Sequence, residues 1–167
     1  YLTIPDYALS TSVNGCVFTD EEGAFSLERS KLEEGYPESV QFKKLAQYAA
    51  EFAQCAQYNF GRMLKRGDEW TAKVMLADGL KAAMKLAHII ENKYFPHDKW
   101  LFKSLDDLEM GDELKPLLLA AADTASVDQI GQFFARTMYE MGYISDTDDY
   151  LDHHTEELMI KSELCIS

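Results

Sequence analysis

The stretch YPESVQFKKLAQYAAEFAQCAQYNFGRMLKRGD, residues 36–68, decides the fold of this chain. Tyr36-Pro37-Glu38 is a helix start, because proline suits the first helical turn and a carboxylate is favourable at the positive end of the helix dipole. Lys65-Arg66-Gly67 is the matching stop. Between them apolar residues recur every three or four positions, which predicts one long helix with a single buried face: Leu45, Ala49, Phe52, Ala53, Ala56, Phe60 and Met63.

A second long helix follows at once. Asp68 is the predicted N-cap, and Phe95-Pro96 forbids further α geometry, so this helix is expected to span residues 69–94. Because only Arg66-Gly67-Asp68 separates the two helices, they must fold back on each other as an antiparallel hairpin. The first helix also carries alanines at positions 46, 50, 53 and 56, which predict that a neighbouring helix approaches it closely.

Shorter helical patterns fill the rest of the chain. We expect three further helices: one over about 99–108 that breaks at Gly111-Asp112, one from Ser126 or Asp128 to Gly142, and one capped within 146–149. Strand signals are almost absent after residue 25. The sequence therefore predicts an all-α fold, a mostly up-and-down bundle of five or six helices.

The N-terminal segment, residues 1–35, is the least regular part, and the bundle is expected to occupy 36–167 of what is a single domain overall. Pro5 predicts a short helix through Ser12, whereas Asn14-Gly15 also suits the turn of a hairpin. We favour the helix. Ser26 is a candidate N-cap for a short helix that ends at Gly35.

The net charge limits the partners of this chain. Its formal charge is −13 over 167 residues, with a pI near 4.6. Such a field repels a phosphate backbone, so we expect no nucleic-acid partner, whereas a cationic small molecule or a basic protein surface would be attracted. The excess of acidic residues also serves solubility.

The cysteines indicate the compartment. Cys16, Cys55 and Cys165 lie far apart and suit small buried thiols in a reducing cytoplasm. No apolar run is long enough to cross a bilayer, and nothing resembles a signal peptide. We therefore expect a cytoplasmic protein with no membrane partner. The chain begins at Tyr1 without an initiator Met, as a fragment of a longer protein would.

Motifs that carry catalysis are missing from this sequence. It contains neither a phosphate-binding loop nor a GxSxG nucleophile elbow. His88 with Glu91 and His153 with Glu157 each share a helix face, but not in the E-x-x-H order that a di-metal bundle uses. We therefore expect no catalytic residue, metal or cofactor in this chain.

Two groups of polar and aromatic residues remain as candidates for a substrate or domain-interface site. The first lies on the long helix and comprises Gln57, Tyr58, Asn59 and Arg62. The second flanks Pro96 and comprises Asn92, Tyr94, Lys99 and Trp100. Either group can also serve packing. In a hairpin joined at Gly67, residue 92 lies opposite about residue 42, so at 1.5 Å per residue the groups lie about 25 Å apart. We expect two patches rather than one pocket.

These segments resemble an uncharacterised bacterial helical family. The family pattern reads Gln-Tyr-Asn-(aromatic)-x-Arg, Arg-Gly-Asp, then Asn-x-x-Tyr-x-Pro-(aromatic)-(aromatic)-Lys-Trp. This chain has QYNFGR at 57–62, RGD at 66–68 and NKYFPHDKW at 92–100, and departs from the pattern at His97-Asp98. In that family the helical domain follows a minimal nucleotidyltransferase domain, and the arrangement is similar to that of kanamycin nucleotidyltransferase.

The resemblance implies an accessory C-terminal helical domain that shapes the acceptor-substrate cleft of a nucleotidyltransferase and packs on its catalytic domain. It also implies that the upstream domain, through a Gly-Ser and an Asp-x-Asp, holds Mg and a nucleoside triphosphate. A cationic small-molecule acceptor suits the acidic surface. The alternative is a non-catalytic helical interaction or dimerisation module, of the toxin–antitoxin kind, which would form a homodimer.

Overall fold

The computed structural model of the chain describes residues 1–165, and these contain helices and no strand. The all-α prediction is confirmed. Where five or six helices were expected, the described residues hold nine α-helical segments: α1 Asp6–Val13, α2 Ala24–Glu33, α3 Glu38–Phe52, α4 Gly61–Lys65, α5 Glu69–Ile90, α6 Leu101–Ser104, α7 Gly111–Ala120, α8 Thr124–Glu140 and α9 Thr155–Leu164. Short 3-10 helices at Asp98–Trp100, Leu105–Asp107 and Leu151–His154 lie between them.

The helix predicted over 38–66 is continuous but not uniform. A π-helical segment, Ala53–Phe60, joins α3 to α4, which corrects the prediction of a single α-helix. The predicted apolar face is otherwise buried as expected, from Leu45 to Phe60. It packs between α5 on one side and α9 on the other, so α3 is the central helix of the core.

The predicted antiparallel hairpin is present. Gly67, at φ +74°, ends α4: its amide donates to the carbonyl of Leu64, and the amide of Asp68 donates to the carbonyl of Met63. The Asp68 side chain then accepts from the amide of Thr71 and caps the start of α5. The close approach that the alanines predicted is found where Gly79 of α5 meets Ala56. A Cβ on Gly79 would overlap the Ala56 Cβ and lie 2.9 Å from its backbone nitrogen.

The second long helix ends earlier than predicted. It stops at Ile90 rather than at Tyr94, because Asn92 adopts the left-handed conformation at φ 54°. The amide of Lys93 then bonds to the carbonyl of His88, and the amide of Asn92 to that of Ile89, which is the Schellman pattern of a helix C-terminus. Asparagine tolerates this conformation better than other non-glycine residues, so the helix ends six residues before Pro96.

Three other predicted boundaries need correction. Gly111 begins α7 rather than ending a helix, since its lack of a Cβ allows contact with the carbonyl of Leu105. Asp123 caps α8, and Ser126 completes the capping box from inside the helix instead of opening it. Ser26 likewise lies inside α2, where its amide donates to Asp20 Oδ2 at 2.7 Å.

The first 35 residues form α1 and α2, so the helix was the correct choice over the hairpin. Leu9 of α1 reaches the core, but α2 has no buried residue. Large apolar side chains are consequently exposed here. We call Phe18 (93% exposed), Phe25 (59%) and Leu27 (60%) the N-terminal apolar surface.

The cysteines do not match the expectation of buried thiols. Cys16 and Cys165 are exposed and Cys55 is half-buried, because all three lie outside the apolar core faces. Within residues 1–165, no helix is both long and apolar enough to span a membrane.

Candidate functional site

The turn at 91–97 is built around the side chain of Asn92. Its Oδ1 accepts from the amide of Tyr36 at 2.8 Å, and its Nδ2 donates to the carbonyls of Glu34 and Tyr36 at 3.3 and 3.4 Å. Gly35 permits this approach, since a Cβ there would lie 2.5 Å from the Asn92 carbonyl. Asn92 therefore ties the end of α5 to the start of α3.

Tyr94 continues this attachment. Its hydroxyl lies 2.9 Å from the carbonyl of Leu32 and 2.8 Å from that of Gly35, and its ring meets Tyr36 edge to face, with centroids 4.7 Å apart. Tyr1 stacks on its other side at 6.4 Å. Burial raises the pKa of Tyr94, so the hydroxyl stays protonated and remains a donor.

A cavity of about 640 Å³ opens beside this turn. Helices α1 and α2 form one wall through residues such as Ser10, Val13 and Leu32, and the chain from Asn92 to Leu108 forms the other. Trp100 borders it with 56% of its surface exposed. We call this space the turn cavity.

His88 and Ser104 also line the turn cavity and fasten α6 to α5. His88 Nδ1 lies 2.8 Å from the carbonyl of Met84, and Nε2 lies 2.9 Å from Ser104 Oγ. Burial lowers the pKa of His88 and favours the neutral ring. Because a carbonyl can only accept, Nδ1 carries the proton and Nε2 accepts from the Ser104 hydroxyl.

A second cavity, of about 630 Å³, lies across Pro96 from the first. Lys99 lines this cavity, as do His97 and Tyr7, whose rings stack at 4.0 Å. The two cavities share Pro96, and Trp100 borders one while Lys99 borders the other. The turn thus divides the second predicted group between adjacent spaces.

A buried ion pair next to the second cavity was not predicted. Lys44 Nζ lies 2.9 Å from both carboxylate oxygens of Asp6, and the Tyr36 hydroxyl donates to the same carboxylate. All three residues are at most 8% exposed. Burial, together with the bond to Asp6, raises the pKa of Tyr36. The one signal in the sequence was Lys44, a lysine beside the apolar face of the central helix.

Two members of the first predicted group have structural roles. Gln57 Nε2 donates to the carbonyl of Asp149 at 2.6 Å, and its Oε1 accepts from the amide of Leu151 at 3.1 Å, so it fixes the connection before α9. Asn59 donates to the carbonyl of Gln54 at 2.8 Å within the π-helical segment. Neither borders the turn cavity.

The other two members, Tyr58 and Arg62, remain exposed and contact each other. Arg62 donates to the Tyr58 hydroxyl at 2.8 Å, and its guanidinium lies 5.2 Å from the centre of the Tyr58 ring. The turn cavity includes Asn92, Tyr94 and Trp100 but none of the first group. The turn cavity therefore does not join the two groups, and both the two-patch arrangement and its function as a site stay predictions.

A domain of unknown function, DUF4037, matches residues 1–101. The chain belongs to the DUF4037 family. No match was found among curated proteins or among solved structures. Residues 1–101 include all eight predicted site residues and the Asp6–Lys44 pair. They also include the part of the turn-cavity lining that runs from Ser10 to Trp100. Helices α7 to α9 lie outside it.

Across residues 1–165, no three His, Cys, Asp or Glu side chains cluster as metal ligands would. The candidate site therefore consists of a cavity with aromatic and polar walls and of a separate exposed pair, Tyr58 and Arg62.

Proposed function

We propose that this chain is the accessory helical domain of a cytoplasmic nucleotidyltransferase, where it shapes the acceptor-substrate cleft and packs on a catalytic domain. The turn cavity carries the proposal. Its walls include Asn92, Tyr94 and Trp100, the residues through which the sequence resembles helical domains that follow a nucleotidyltransferase. Ligand sites lie preferentially in clefts between domains, and this cavity is open to solvent.

The charges around the turn cavity favour a cationic acceptor. Lys93 is bound to Glu91 at 2.9 Å and Lys103 to Asp106 at 2.5 Å, so both lysines are neutralised. Asp107 also lines the cavity. Lys93 Nζ donates to its backbone carbonyl at 2.8 Å, whereas its carboxylate forms no ion pair among residues 1–165. An amine or guanidine group of the acceptor would supply the missing cation.

The N-terminal apolar surface supports the docking of a catalytic domain. Phe25 and Leu27 belong to α2, and the same helix contributes Leu32 to the cavity wall. A domain that covered these exposed side chains would lie against α2, the helix that contributes Leu32 to the cavity wall. Large exposed apolar side chains such as these are candidates for a protein contact.

In this proposal the phosphoryl chemistry belongs to the catalytic domain. Carboxylates of that domain would hold Mg, and the Mg would bind the nucleoside triphosphate, since phosphoryl transfer needs metal ions at the phosphate oxygens. The residues of this chain would orient the acceptor.

The first test concerns the codons immediately before Tyr1. The proposal expects a Gly-Ser followed about ten residues later by an Asp-x-Asp, the spacing that the resemblance implies, in a segment that folds as a nucleotidyltransferase domain. That segment, expressed separately, should bind the 1–167 chain. Phe18→Ser with Phe25→Ser should abolish this binding, whereas Leu119→Ser, a change at an apolar residue that is 75% exposed on α7, should not.

The exposed apolar residues also favour a second candidate, a non-catalytic interaction or dimerisation module. In that case the codons before Tyr1 would lack the nucleotidyltransferase pattern. The isolated chain would sediment as a homodimer, and Phe18→Ser with Phe25→Ser would convert it to a monomer.

A further inference from the structure

The tip of the α4–α5 hairpin is basic in an otherwise acidic chain. Arg62, Lys65, Arg66 and Lys73 all lie within about two turns of Gly67, and all four are exposed. We call them the basic tip. None of the four forms an ion pair with a carboxylate within residues 1–165. The chain carries 29 acidic residues against 16 basic ones, so four unpaired cations at one turn are a distinct feature.

Two exposed aromatic rings accompany these cations. Trp70 is 78% exposed, and Lys73 Nζ lies 4.8 Å from the centre of its ring. Tyr58 is 47% exposed and is held by Arg62. Tyr58 belongs to the π-helical segment, and such segments occur frequently at functional sites. The tip therefore presents flat apolar surfaces beside positive charge.

The acidic groups of the tip do not cancel this charge. Asp68 and Glu69 are the two carboxylates in the turn. Hydrogen bonds from Thr71 hold the Asp68 carboxylate at the start of α5 and lower its pKa. The basic tip has four positive charges against these two negative ones, so it keeps a net charge of +2. Two of its cations are arginines, whose planar guanidinium binds phosphate oxygens in a bidentate way that lysine cannot.

We propose that the basic tip binds a nucleoside triphosphate, with Arg62 and Arg66 on the phosphates and the base stacked on Trp70. Base–aromatic stacking combined with cationic contacts to phosphate is the usual way that proteins hold unpaired nucleotides. A single nucleotide fits better than a nucleic acid, because the acidic remainder of the chain repels a long polyanion. This goes beyond the proposed function, since it assigns a nucleotide site to the helical domain itself.

The test uses Trp70 as its own reporter. The chain has two tryptophans, so Trp100→Phe leaves Trp70 as the single fluorophore in the full 1–167 chain. Titration with ATP should quench Trp70 fluorescence in a saturable way, with half-saturation below about 1 mM. Adenosine, which has a base but no phosphate, should quench only weakly at the same concentrations.

Two pairs of charge variants test whether ATP binding depends on the basic tip or on the overall charge of the chain. In the Trp100→Phe background, Arg62→Gln with Arg66→Gln should weaken ATP binding by about tenfold or more. Lys31→Gln with Lys43→Gln removes two exposed cations elsewhere and should leave it unchanged. All four positions are exposed, so circular dichroism should show the same helix content in each protein.

Several results would overturn the proposal: no quenching by ATP, equal quenching by adenosine, or equal weakening by both pairs of substitutions. Tighter binding of a single-stranded oligonucleotide than of ATP would also overturn it and would indicate a nucleic-acid surface. The assay needs only this chain, so its failure would leave the acceptor cavity and the docking of a catalytic domain untouched.

Discussion

The buried pair of Lys44 and Asp6 gives the sharpest stability prediction. Their side chains are 7% and 9% exposed, and the Asp6 carboxylate also accepts from the Tyr36 hydroxyl. Lys44→Met fills the same space but leaves the carboxylate buried without its cation. Breaking a buried pair in this way costs about 3–5 kcal/mol. For a domain of this size each kcal/mol lowers the melting temperature by about 2–4 °C, so we expect a loss of about 10 °C by differential scanning calorimetry.

Two further variants show whether burial causes this effect. Lys43→Met removes the neighbouring exposed lysine and should change stability by less than about 0.5 kcal/mol. Asp6→Leu with Lys44→Met replaces the pair by apolar groups and should recover most of the loss, because such replacements are often neutral or stabilising. If Lys44→Met melted at the same temperature as Lys43→Met, the pair would not be buried as described and the reasoning would be wrong.

Three other outcomes can be checked by thermal or acid unfolding. Gly79→Ala places a methyl group against Ala56 and should lower stability by about 1–3 kcal/mol despite its better helix propensity. Asn92→Ala should lower the free energy of unfolding more than Asn92→Gly does. Both variants lose the hydrogen bonds to residues 34–36, but only glycine adopts the left-handed conformation of this turn without strain. Burial acts to raise the pKa of Glu91, but the bond from Lys93 and backbone amides outweighs it and holds that pKa below its usual 4.5. Glu91 therefore stabilises the fold above about pH 4.5 and loses this effect as pH falls through its lower folded pKa, so Glu91→Gln should flatten the acid limb of the stability curve.

The long elements could be predicted because their signals are local. The apolar repeat from Leu45 to Phe60, the glycine at 67 and the cap at Asp68 act within a few residues, and all three are present in the structure. The prediction that Pro96 ends the second long helix was wrong. Asn92 ended α5 first, and its conformation depends on the Tyr36 amide 56 residues away in sequence.

The site was less predictable because long-range contacts determine it. Gln57 and Asn92 belong to the motifs of the resemblance, yet both side chains are occupied by backbone groups of distant segments. Asp6 and Lys44 lie 38 residues apart and carry no local signal of their pairing. The π-helical segment could not be predicted either, because its residues continue the apolar repeat of an α-helix.

Asp107 of the turn cavity allows the most direct test of the proposed acceptor site. The measurement is Mg-dependent nucleotide transfer to an amine acceptor by the protein as its own gene encodes it, with the KM for acceptor and for nucleotide determined separately. Asp107→Asn should raise the acceptor KM by about tenfold and leave the nucleotide KM unchanged, since a lost charge-assisted contact costs about 1.5–3 kcal/mol. Asp112→Asn, an exposed neighbour that does not line the cavity, should alter neither value. Absence of any transfer by the native protein, or equal effects of the two substitutions, would contradict the account.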